Sequence, residues 1–107
     1  MPLERGYQAY IIKEIKYRFP DAVVLKNDSG YMQGVPDLAI FNGPYWAMLE
    51  VKRSEHEPSR PNQEYWVALF DSMSFARFIY PENEEQVLRD LQLALSPRRR
   101  PRVSQSF

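Results

Sequence analysis

The apolar positions of this chain change period several times, and each change marks an element. Over residues 3–19 they recur at helical spacing, with Ile11, Ile12, Ile15 and Phe19 on one stripe, and Pro20-Asp21 closes that helix. Residues 22–26 predict a short strand, and Asn27-Asp28-Ser29-Gly30 a turn. Two apolar runs follow, Leu38-Ala39-Ile40-Phe41 and Tyr45-Trp46-Ala47-Met48-Leu49, on either side of Asn42-Gly43-Pro44, as two strands joined by a turn would be. The polar stretch 53–61 reads as a loop. Pro61 suits the first turn of a helix to about Met73, whose apolar positions Trp66, Leu69, Phe70 and Met73 lie three to four apart. Residues 75–80 predict a strand, and Pro81-Glu82-Asn83-Glu84 opens a last helix to about Leu95, apolar at Val87, Leu88, Leu91 and Leu95. The order is αβββαβα, without repeats or an internal linker. It implies one α/β or α+β domain over residues 1–97, with a central mixed sheet flanked by helices.

Charges interrupt these core-like strands in one place. Asp37 stands at the head of the second strand, and the third ends Glu50-Val51-Lys52, with twelve residues between Asp37 and Glu50. Side chains alternate along a strand, so Glu50 and Lys52 share a face and Val51 points to the other. If the two strands are neighbours, Asp37 comes close to that pair. Two converging carboxylates are divalent-metal chemistry, and a lysine beside them stabilises charge on a phosphate; together they suggest a nuclease. Taken singly, Asp37 next to Gly and Pro also reads as a turn residue, and Glu50 with Lys52 as an ion pair on a solvated face.

Composition narrows the alternatives. The chain has 107 residues, no Cys and one His, His56, so it carries no thiolate nucleophile, disulfide framework or His cluster. No apolar run reaches the length of a membrane span, and Met1-Pro2-Leu3-Glu4-Arg5 is unlike a signal peptide. The expectation is a soluble, cytoplasmic protein, in the host cytoplasm if virus- or phage-encoded. The net charge of zero comes from 14 basic and 14 acidic residues, yet Arg98, Arg99, Arg100 and Arg102 all lie beyond Pro97. Without those four arginines the body is acidic, so affinity for a polyanion has to come from local basic loops or from the tail, 98–107. That tail reads either as a phosphate-binding segment or as a flexible solubilising one.

The motif Gly34-Val35-Pro36-Asp37-Leu38, the Glu50-Val51-Lys52 strand end, Glu4 in the first helix and Gln63 at the start of the second resemble the active-site signature of the PD-(D/E)xK nuclease superfamily, and within it the VRR-NUC (virus-type replication-repair nuclease) family. The resemblance covers about residues 3–80 in the same element order. It implies a restriction-endonuclease-like core and a metal-dependent DNA endonuclease. Asp37, Glu50 and the Val51 carbonyl would hold Mg²⁺, with Mn²⁺ able to substitute. Lys52 would orient the attacking water or neutralise charge on the phosphorane, and Gln63 would lie close to the scissile phosphate. The products would carry 5′-phosphate and 3′-hydroxyl ends. Branched DNA of the Holliday-junction kind, a DNA-repair setting and a homodimer are also what the resemblance implies.

Residues around that core complete the expectation. Glu4 falls with Gln8, Ile11 and Ile15 on the inward stripe of the first helix and could complete the metal site; Glu14, among Tyr7, Tyr10 and Tyr17 at the stripe's edge, is the rival acid. Lys26, Asn27, Arg53 and Arg60 are candidate DNA-backbone contacts from loops, and His56 falls in a charged, solvent-facing loop. The aromatics are first of all core and interface residues. Two other readings compete with the nuclease: a non-catalytic nucleic-acid-binding or assembly module, and a sequence-specific restriction-type endonuclease.

Overall fold

The computed structural model describes residues 4–28 and 30–96, the side chains of Glu4 and Arg5 excepted. The Glu4 side chain, and with it any role as a third acid, and the basic segment 98–107 therefore lie outside the described residues. Three helices and four strands follow in the expected order: α1 (Glu4–Arg18), β1 (Val23–Lys26), β2 (Leu38–Asn42), β3 (Tyr45–Val51), α2 (Pro61–Met73), β4 (Ala76–Ile79) and α3 (Glu84–Leu95). The fold is α+β. Its sheet runs in the order β1-β2-β3-β4, with β1–β2 and β2–β3 antiparallel and β3–β4 parallel. The parallel step needs a crossover, and α2 supplies it.

Strand alternation splits the sheet into two unlike faces. Leu38 pairs with Leu49, Ile40 with Ala47 and Val51 with Ile79. This face packs on Tyr7, Ile11, Ile15 and Phe19 of α1 and on Val87, Leu88, Leu91 and Leu95 of α3. All these side chains are buried and make one continuous core. Each large aliphatic removed from water there stabilises by roughly 1.5–3 kcal/mol. Tyr7, at the edge of the α1 stripe, is a core residue, as expected of the aromatics. Its hydroxyl donates to Glu84 Oε1 (2.9 Å), and the Tyr10 hydroxyl donates to Oε2 of the same carboxylate (2.9 Å). Burial first, and then that carboxylate, push the Tyr7 phenol far above its ordinary pKa, so it stays a donor at every working pH.

The other face carries Trp46, Met48 and Glu50 of β3, with Phe41 opposite Trp46 and Ala39 opposite Met48. Helix α2 lies on it: Phe70 meets Trp46 edge-on (6.1 Å between ring centroids), and Trp66 stacks on Phe70 (5.6 Å). The stripe Trp66, Leu69, Phe70 and Met73 is only half realised, for Met73 is 60% exposed and Val67 is the residue α2 buries fully. A single helix cannot cover four strands, and Val23, Leu25 and Phe41 at the β1–β2 side stay exposed. No described helix is long and apolar enough to cross a membrane.

Candidate active site

Asp37 is positioned from both ends of its loop. Pro36 before it is fully buried. Asn27, just past β1, donates from its backbone N–H to the Asp37 carbonyl (2.8 Å) and from Nδ2 to the Pro36 carbonyl (2.8 Å). Extending the β2–β3 register by one residue sets Asp37 opposite Glu50. At that point β2 has ended, and Asp37 Oδ2 takes the Val51 N–H (2.8 Å), the position a neighbouring strand's carbonyl would fill. Burial pushes the Asp37 carboxyl above its ordinary pKa. The Val51 N–H and the Lys52 ammonium pull it back, and Glu57 raises it again.

Glu50 and Lys52 share the α2 face, as alternation requires, and both are buried, at 3% and 5% exposure. Charges at that depth need built partners. Gln63 supplies them to both: its Nε2 donates to Glu50 Oε2 (2.9 Å), and its Oε1 accepts from Lys52 Nζ (2.8 Å). The orientation of this amide is forced, because an ammonium can only donate and a carboxylate can only accept. The same Oε1 also accepts the Arg60 N–H (3.0 Å), half of a capping box at the start of α2. Pro61 at the first helical position fixes where that turn begins. Lys52 Nζ further donates to the Pro58 carbonyl (3.2 Å) and lies 5.8 Å from the centroid of the Phe78 ring. The bland alternative of a solvated Glu50–Lys52 pair thus fails on burial: the two are joined through a third residue in the interior.

Asp37, Glu50 and Gln63 line one cleft of about 250 Å³. Gly30, Gln33, Gly34 and Val35 supply one wall and Arg60 and Asn62 another. Of the four basic or amide residues considered for DNA contact, Arg60 reaches the cleft. Lys26 is exposed at the end of β1, and Arg53 is exposed and paired with Glu57 (3.6 Å). Asn27 is spent on holding the Asp37 loop. Glu14 pairs with Arg18 (3.7 Å) on α1, and His56 is exposed beside Glu55, as its charged loop implies.

Asn62 and the Pro58 carbonyl were not anticipated from the sequence. For Asn62 the available signal was Pro61, since fixing the first turn of α2 puts Asn62 and Gln63 together at its mouth. Among the described residues no three His, Cys, Asp or Glu side chains gather at metal-holding spacing. Two carboxylates are gathered, and the donor set is oxygen only, which fits a hard divalent cation and not a thiolate or imidazole metal. Compared with family models, curated proteins and solved structures, the chain finds no match.

Proposed function

We propose that this protein is a Mg²⁺-dependent DNA endonuclease of the PD-(D/E)xK kind, similar to the VRR-NUC family, and that it hydrolyses phosphodiester bonds in branched or structured DNA. The observation that carries the reading is one arrangement: Asp37 and Glu50 opposite each other at a cleft, with Lys52 held beside them by the amide that also holds Glu50. A structural ion pair does not need a cleft, and a binding module does not need two acids where a polyanion is to sit. The acids repel phosphate unless a cation stands between, which is the logic of a metal site.

Asp37, Glu50 and the Val51 carbonyl would hold Mg²⁺ or Mn²⁺. The ion, when bound, supplies Lewis acidity toward the phosphate and a water of lowered pKa. Lys52 brings a fixed positive charge for the phosphorane, and Gln63 aims it. Arg60 on the cleft wall offers a guanidinium to a flanking phosphate. Water adds to phosphorus, the bond to O3′ breaks, and the 3′ oxygen takes up a proton, leaving 5′-phosphate and 3′-hydroxyl ends. A domain of this size has little surface for reading sequence, which favours shape, a branch or junction, as the substrate. Two copies would bring two clefts to one junction, and the exposed apolar residues Val23, Leu25 and Phe41 beside the β1 edge support a homodimer. On this reading the protein works in the cytoplasm, the host's if it is virus- or phage-encoded.

The test is cleavage of a four-way junction, a flap and a linear duplex in Mg²⁺ and in Mn²⁺, against EDTA and against Asp37→Ala. Wild type should cut branched DNA and lose the activity to either control. Wild type as inert as Asp37→Ala in both metals sinks the nuclease, and discrete bands from linear plasmid replace shape selectivity with a restriction-type one. Sedimentation of wild type against Leu25→Lys tests the dimer.

A further inference from the structure

The loop between Asn27 and Asp37 carries an aromatic side chain that packing does not explain. Tyr31 is 88% exposed, and Met32 beside it is also exposed. The backbone that presents them is tied down. The Tyr31 and Met32 N–H groups donate to the Asp28 carbonyl (3.1 and 3.3 Å), and the Gly30 N–H donates to Asp28 Oδ1 (2.8 Å). The Val35 N–H returns to the Met32 carbonyl (3.2 Å), and Asn62 Nδ2 on α2 donates to the Gln33 carbonyl (3.3 Å). Gly30 and Gln33, on either side of Tyr31, line the cleft with Asp37 and Glu50. Tyr31 is therefore carried on a bonded frame between two residues of the cleft wall, with its ring exposed to water.

We propose that Tyr31 is a base-stacking residue that takes an unstacked base of the strand whose phosphate lies in the cleft, and so selects DNA with unpaired nucleotides at the cut over continuous duplex. This inference rests on the nuclease reading of the cleft. Every base has a π-face, so an aromatic ring captures one whatever the sequence. In a flap, branch or single-stranded segment the base is already available, whereas a duplex has to give up its own stacking first. Arg60 on the other wall of the cleft, exposed, is the matching backbone contact. The chain contains its own control. Tyr17 is 83% exposed on α1, the helix that packs on the opposite face of the sheet.

The experiment compares kcat/KM on a flap and on continuous duplex in Mg²⁺ for wild type, Tyr31→Ala, Tyr31→Phe and Tyr17→Ala. In parallel, the fluorescence of 2-aminopurine placed at the unpaired nucleotide is followed in Ca²⁺. Tyr31→Ala should lower kcat/KM on the flap by about tenfold, the scale of one lost base stack, with the duplex value unchanged and the quenching gone. Tyr31→Phe should behave as wild type, since it keeps the ring, and Tyr17→Ala should change nothing. Melting temperatures should agree throughout, because neither tyrosine is buried. If Tyr31→Ala matches wild type in both readouts while wild type cuts, the stacking role is lost and the nuclease stands. If wild type quenches the probe but cuts no DNA, stacking stands and the nuclease falls. If wild type does neither, both fall.

Discussion

The two faces of the sheet are made from the same strands and do opposite work. Leu49 and Glu50 are consecutive residues of β3. Leu49 points into the closed core of α1 and α3, and Glu50 points under α2 into a cleft. On the first face the packing is mainly apolar between two helices, and polar groups such as the Tyr7 hydroxyl and the Asn42 amide bond at its margins. On the second, one helix covers part of the sheet, and what it leaves is filled by a carboxylate, an ammonium and an amide in one hydrogen-bonded chain. The core face stabilises the molecule with little demand on residue identity. The α2 face spends burial on charges that stability alone would replace with leucine. That exchange is what a site built for chemistry looks like, and it can be tested residue by residue.

The largest contrast is expected within that dipeptide. Glu50→Gln keeps an oxygen to accept from Gln63 Nε2, so unfolding free energy should stay within about 1 kcal/mol of wild type, while cleavage falls on the order of a thousandfold. Leu49→Ala should do the reverse. It should cost about 2–5 kcal/mol in denaturant unfolding, with kcat of the folded fraction little changed. Equal stability losses from both would mean that the two faces do not differ as described.

Asp37→Asn sharpens the same point through pH. Burial raises the folded-state pKa of Asp37 above its unfolded value, so the native state holds the proton more tightly. Its contribution is therefore best below the unfolded pKa, declines as pH rises through the window up to the folded pKa, and stays at its least favourable above that. Asparagine keeps an oxygen for the Val51 N–H and carries no charge to desolvate. The variant should thus be inactive yet melt higher than wild type at neutral pH, with the gap closing as pH falls through that window. A gap independent of pH would remove Asp37 as its source. Gln63→Ala comes next: Lys52 and Glu50 each lose a bonded partner, a cost of about 1–3 kcal/mol for buried polar groups. A drop in kcat larger than that in 1/KM would mark Gln63 as a positioning residue and not a simple contact with DNA.

How much of this was legible beforehand follows the same division. The core face was readable almost throughout, because Ile11, Ile15 and Phe19 and then Val87, Leu88, Leu91 and Leu95 announce their stripes by period alone. For Tyr7 the burial was legible but not the partner, since Glu84, which accepts from the buried phenol, lies 77 residues away. Asp37, Glu50 and Lys52 stood out because charge in an apolar run has to be accounted for. What was not legible was how they are joined. The amide of Gln63, the carbonyl of Pro58 and the wall residues Gln33 and Asn62 meet the acids only after α2 crosses the sheet, and no local pattern encodes that crossing. In α2 itself the periodicity misled, for a stripe predicts which residues face inward but not whether a neighbour is there to cover them, and Met73 has none that buries it.

The smallest effects should separate two glycines, one at each end of β2. Gly34 (φ +87°) and Gly43 (φ +63°) both adopt a backbone that an L side chain rarely takes. At Gly43, in the β2–β3 turn, a Cβ would meet nothing within 4 Å, so Gly43→Ala carries the conformational cost alone, about 1–2 kcal/mol. At Gly34 the added Cβ would sit 2.7 Å from Asn62 Cγ and 3.0 Å from the Asn62 backbone carbonyl carbon, and the backbone atom cannot turn aside. Gly34→Ala therefore has to push the loop away from α2. It should cost more than Gly43→Ala in stability and, unlike it, lower cleavage, because the displaced loop is the wall of the cleft next to Asp37. Matched stability losses with unchanged activity in both would show that the loop and helix are not held against each other.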